Sequence, residues 1–192
     1  MKNIIFLFTI ILIGCNSKTE TKVENEEKQN NKNVIKGSKI GGGKYFEYDE
    51  IEYYKSVIEE EQVGELYNNQ KKSTKDSLKF GVFLGEIPKS ITDTSFINNL
   101  EAFGYTKSKI AEKKFDEIDE VFTEKEHSET YDTACIYIYR DILIFKKNDK
   151  TIGIAKICFD CDANVIVGTK SNTESFGMSG DYKKLRKIIR GK

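Results

Sequence analysis

Residues 134–168 restrict the fold more than any other stretch of the chain. Ala134 to Phe145 reads as a long strand, Lys147-Asn148-Asp149-Lys150 as a turn, and Thr151 to Phe159 as a second strand. Asn and Asp tolerate the left-handed backbone that a tight hairpin turn demands. A hairpin is therefore expected, with Asn164 to Val167 as a third strand. The first strand is apolar on both faces, so it belongs at the centre of a sheet that is covered on both sides. Gly153 and Ala155 share one face of the second strand, where small side chains leave room for a helix to pack closely.

Helical periodicity supplies the covering layers. Ser56 with Glu59 three residues on is a capping-box pattern, opening a helix that runs to about Tyr67 with Val63, Leu66 and Tyr67 as its apolar face. Asp93 is positioned to cap a helix bearing Phe96, Ile97, Leu100 and Phe103, which Gly104 stops. A further helix is expected from about Lys107 to Phe122. Its stripe is Ile110, Lys114, Phe115, Ile118, Val121 and Phe122, and its acidic face, with Glu112, Asp116, Glu117, Asp119 and Glu120, reads as solvated. A last helix follows Asp181, with Tyr182, Leu185, Ile188 and Ile189 as its stripe. Tyr45 to Tyr54 suits a strand or strand pair. Leu78 to Ile87 fits neither period well before Pro88 ends it. The sum is a single α+β domain over 44–192: an antiparallel sheet of four or five strands with amphipathic helices packed on it.

The 31 basic and 31 acidic residues cancel, which argues against a general nucleic-acid binder. The N-terminus is distinct from the rest. Lys2 precedes an apolar run from Ile4 to Ile13, about half the roughly 20 residues that a membrane-spanning helix needs, and suited to a signal peptide. It ends in Leu12-Ile13-Gly14-Cys15, which resembles the lipobox of bacterial lipoproteins, although Ile13 stands where a small residue is commoner. The resemblance implies a signal peptide over 1–14, cleavage before Cys15, and diacylglyceryl on its thiol with acylation of the new N-terminus. Membrane lipid through Cys15 is then a partner. More than one chain is needed for stable anchoring, since each buried CH₂ contributes only about 0.8 kcal/mol. Residues 15–43 read as the lipidated cysteine and a polar tether, with Gly41-Gly42-Gly43 as a flexible joint. Asn16 in place of Asp favours the outer over the inner membrane of the cell envelope.

Taking Cys15 for lipid leaves Cys135, Cys158 and Cys161. With Asn148-Asp149 as a two-residue turn, Cys135 faces Asp162 and lies beside Cys161. Three readings stand. One is a disulfide, Cys135–Cys161 or Cys158–Cys161, which an oxidising compartment permits. The second is three buried reduced thiols. The third is a metal or thiol-redox site, for which Asp160 and Asp162 lie nearer than His127. Arg140-Asp141 interrupts the apolar strand. Neighbours point to opposite faces, so each needs its own partner, or Arg140 or Asp141 binds a ligand in a pocket. His127-Ser128 sits in a polar loop with no nucleophile motif, and the basic C-terminus fits cations favoured at a helix end. No catalytic or cofactor pattern is present. The expected function is a non-enzymatic binding or interaction module for a protein or small-molecule ligand. The alternative is a thiol-redox or metal-binding lipoprotein using Cys135, Cys158 and Cys161, and a third idea is self-protection against a toxin domain.

Overall fold

The expected hairpin lies at the heart of the sheet. In the computed structural model, which describes residues 39–126 and 134–191, β5 (Asp141–Lys147) and β6 (Lys150–Cys158) pair antiparallel around Asn148 and Asp149. Both turn residues adopt positive φ, 49° and 60°. Lys147 faces Lys150 and Lys146 faces Thr151. A bulge then shifts the register by one, so that Phe145 faces Gly153. β7 (Ala163–Val167) follows on β6, and β2 (Glu50–Ser56) flanks β5. The far edge is β3 (Tyr105–Lys109), giving the order β3-β2-β5-β6-β7 with every pairing antiparallel. This is the α+β architecture expected, with β5 in the middle.

Alternation along β5 splits the core in two. Leu143 and Phe145 join Ile51, Tyr53, Ala155 and Ile157 on one face. Ile142 and Ile144 join Tyr54 and Ile154 on the other. The first face is covered by α3 (Phe115–Val121), α4 (Asp181–Arg190) and the aromatics Tyr45, Phe46 and Phe176. The second is covered by α1 (Glu60–Asn68), α2 (Thr74–Phe83) and two short 3-10 turns that carry Phe96, Leu100 and Phe103. A separate two-stranded sheet pairs β1 (Lys39–Lys44) with β4 (Thr123–Glu126). All of this lies within one compact unit, Lys36–Lys192.

Several expectations are corrected. The strand read from Ala134 becomes regular only at Asp141. Upstream its partner has run out, because β2 ends at Ser56, whose N–H donates to Arg140 O, and Tyr139 N–H donates to Phe83 O beside α2. The helix read from Lys107 begins at Phe115 instead. Residues 105–109 form the edge strand, where Lys107 pairs with Glu52 and Lys109 with Glu50 across β2. The capping box sits three residues late, as Glu59 and Gln62 exchange bonds while Ser56 closes β2. Gly41-Gly42-Gly43 lies inside β1, at a register shift, so regular structure already includes the residues from Lys39 to Lys44 and the triple glycine is strand rather than joint. A Cβ on Gly42 would meet Glu124 at 2.5 Å. The close neighbour of Gly153 is the Phe46 ring, 2.3 Å from where a Cβ would stand, and not a helix. Cys15, the signal peptide, most of the tether and His127-Ser128 lie outside the described residues.

Candidate functional site

Arg140 and Asp141 part ways, as strand geometry requires. Asp141 is buried on the α4 face, where Tyr53 donates to it and Arg190 grips it through both Nε and Nη2. The carboxylate holds the Arg190 guanidinium above its ordinary pKa, against the pull of burial. Asp141 thus fastens α4 to the sheet, and among the described residues it is not in the lining of either hollow that Arg140 borders. Arg140 turns to the opposite side. Its Nε donates to Ile58 O at 3.0 Å and its Nη1 reaches Asp160 at 3.3 Å, a carboxylate shared with Arg186.

Arg140 lines a concave site. A cleft of about 520 Å³ opens between α1 and residues 135–140. Its walls are Val63, Gly64 and Tyr67 from α1, Leu84 beyond α2, and Ile136 and Ile138 opposite. Glu60, Arg140 and Asp160 stand at one end and border a second hollow of about 310 Å³ that reaches Val57 and Lys55. Among the described residues, the exposed large apolar side chains are Val57 (76%), Tyr67 (61%), Ile136 (72%) and Tyr137 (38%). Three of the four line these two hollows, and Tyr137 is the chain neighbour of Ile136. Apolar surface gathered around one concavity, with a few charges at its end, is the usual dress of a binding site.

Gly64 is the telling residue of this cleft. It lies in the interior of α1, where glycine is less favourable than alanine by roughly 0.5–1 kcal/mol. Nothing stands within 4 Å of the position a Cβ would take. The fold therefore has no steric need of a glycine there, in contrast to Gly153 beneath Phe46. Gly64 itself lines the cleft.

All three domain cysteines line the same cleft. Cys135 and Cys161 are disulfide-bonded, with Cα atoms 5.9 Å apart, inside the roughly 4.4–6.8 Å that such a bridge spans. The bridge closes 26 residues of sequence and ties the outer wall of the cleft to the turn between β6 and β7. Cys158 is a free buried thiol that clusters with Cys161 and Tyr139. Burial, and then the nearby Cys158, push the Tyr139 phenol up to about 12. Among the described residues no group of three or more His, Cys, Asp or Glu is arranged to hold a metal ion.

Beneath the cleft lies a residue that sequence reading passed over. Lys156 is fully buried in β6. Its Nζ donates to the carbonyls of Gly81, Val82 and Gly85 at 3.2, 2.7 and 2.7 Å and sits 4.3 Å from the Tyr139 ring. These carbonyls lie at the end of α2, where helix geometry leaves acceptors without donors and favours a cation. Burial nonetheless pulls the ammonium down to about 7, with Glu86 pulling weakly the other way. The signal was a charge inside an apolar strand, the same signal that singled out Arg140 and Asp141. Gly64 was likewise visible as a glycine inside a helical stretch. No protein-family model, curated protein or solved structure matches the chain.

Proposed function

We propose that the chain is a cell-envelope lipoprotein, anchored through Cys15, whose folded part is a non-enzymatic binding module. The cleft beside α1 takes the apolar part of its ligand, and the Arg140–Asp160 end meets the polar part. The observation that carries this reading is Gly64, a helical glycine with open space where its side chain would be, set in an apolar concavity ringed by exposed Tyr67 and Ile136. The anchor rests on Leu12-Ile13-Gly14-Cys15 and the apolar run before it. Asn16 supports the outer membrane as its destination.

Metabolic labelling with palmitate tests the anchor. Label and membrane sedimentation are both expected for the full chain and lost together in Cys15→Ser. Label that persists in Cys15→Ser, or sedimentation without any label, contradicts it. Native mass spectrometry of Cys15→Ser tests the cleft. Bound apolar mass is expected, and it should be missing from the double variant with Gly64→Trp.

A second reading, thiol-redox exchange with another molecule, draws support from the three cysteines around one cleft. It expects the Cys135–Cys161 bridge to turn over with a dithiol partner. The binding reading expects no disulfide exchange with the ligand, so that one disulfide and one thiol remain in the domain through repeated cycles of ligand loading and release.

A further inference from the structure

Backbone hydrogen bonds fix residues 138–140. Tyr139 N–H donates to Phe83 O, Arg140 O accepts from Ser56 N–H, and Tyr139 O accepts from the Tyr105 hydroxyl at 2.6 Å. Ile138 and Tyr139 are buried accordingly. One step upstream the situation changes. Ala134, Cys135, Ile136 and Tyr137 are exposed, and Ile136 is the part of this stretch that walls the cleft. The Cys135–Cys161 bridge draws this wall inward, with Cys161 Sγ 3.4 Å from Ile136 O. A third sulfur stands by. Cys158 packs in one cluster with Cys161 and opens on the same cleft. Cys158 ends β6 and Cys161 lies within the four-residue turn that leads to β7, and Cys-x-x-Cys spacing is able to close into a disulfide.

We propose that the three cysteines form a disulfide latch that moves between two pairings and regulates the cleft. The inference rests on the cleft being a ligand site. In the latched form Cys135–Cys161 holds Ile136 over the cleft. In the exchanged form Cys158–Cys161 replaces it. The Cys158 thiol gives its proton to water in the cleft, and its sulfur bonds to Cys161 Sγ as the Cys135–Cys161 bond breaks. The electron pair leaves on Cys135 Sγ, which takes up a proton. One disulfide and one thiol stand on each side, so no oxidant or reductant is consumed. The exchange carries the free thiol from a buried position to an exposed one and releases the wall at residues 134–136. The odd number of domain cysteines is what makes this possible, since a fully paired set has no attacking thiol.

The test locates the thiol. The full-length lipoprotein, purified without reductant, is alkylated with N-ethylmaleimide and peptide-mapped. Label is expected to divide between Cys158 and Cys135, with none taken up by Cys158→Ser. Label confined to Cys158, or spread over all three cysteines, overturns the latch. Titration with the uncharged fluorophore Nile red, in full chains carrying Cys15→Ser so that no detergent is needed, tests the regulation. Cys158→Ser stays latched, and Cys135→Ser is expected to bind about tenfold more weakly, the effect of losing about 1.4 kcal/mol of contact. Equal affinities overturn regulation of the cleft even where the label divides. Nile red binding to none of the chains overturns the cleft as an apolar site, while the label still decides the exchange.

Discussion

On the α3–α4 face of the sheet the buried carboxylates Asp141 and Asp181 each meet a cation. Lys125 bonds Asp181 and also Val121 O, and Arg190 bonds Asp141. On the α1–α2 face the buried cation, Lys156, meets three carbonyls and an aromatic ring and makes no ion pair among the described residues. The same contrast runs through the apolar packing. The first face closes over a cluster of rings, with Phe46, Phe122 and Phe145 in mutual contact and Phe176 against Phe122. The second leaves a cleft between α1 and residues 135–140. One face is fastened by paired charges that tolerate no missing member. The other pairs the buried Glu52 with Lys107 and Lys146 on β2, β3 and β5, but beside the cleft it is fastened by a helix end and a sulfur bridge, and keeps space that packing alone would fill.

Removing one member of a buried pair strands the other charge, which costs about 3–5 kcal/mol. Asp181→Ala is expected to fall in that range by urea denaturation, whereas Lys156→Met, which strands no charge, is expected to cost about 1–2 kcal/mol for the carbonyls left unmatched. Equal losses would erase the distinction between the faces. Next in size is the bridge. Cys135→Ser with Cys161→Ser together is expected to lower stability by about 2–4 kcal/mol through the freed chain entropy of the unfolded state. An unchanged midpoint would show that the bridge does not constrain this face.

Lys156 also sets a pH dependence. Its folded pKa, about 7, lies below the ordinary lysine value, so between the two the unfolded chain binds the extra proton. Stability therefore rises with pH from about 7 toward 10, by at most about 1.4 kcal/mol per pH unit, and the term is lost as pH falls through 7. Denaturation at several pH values is expected to show this slope in the wild type and not in Lys156→Met. The last contrast lies between two glycines. Gly153→Ala forces a Cβ into the Phe46 ring and is expected to destabilise by about 1–3 kcal/mol. Gly64→Ala meets open space and is expected to stabilise by about 0.5–1 kcal/mol.

What was legible in the sequence follows the same division. The turn at Asn148-Asp149, the central place of β5, the α4 stripe and the meeting of Cys135 with Cys161 all came from local rules of turn chemistry, alternation and register. The bulge after Phe145 moved the register by one, yet Cys135 still found Cys161, because neither lies in regular strand. Lys107–Lys109 read as the start of a helix because Lys and Ser at an exposed edge carry no apolar alternation. Only the ion pairs to Glu50 and Glu52, made by another strand, show why it is extended. The cleft itself was not legible. It is a space between α1 and a segment whose backbone bonds go to a helix end, and no spacing within either segment encodes that distance. Arg140 was found by its charge in an apolar strand, and its divergence from Asp141 by strand alternation, but its place at the cleft, and the pairing of Asp141 with Arg190, needed tertiary structure.

The central claim is that the space beside Gly64 is kept for a ligand. Nile red titration of full chains bearing Cys15→Ser, with Gly64 kept or changed to Ala or Trp, tests it most directly. Saturable binding is expected that Gly64→Ala preserves and Gly64→Trp abolishes, with both variants at least as resistant to urea as the parent. Binding that is indifferent to the indole at position 64 would contradict it.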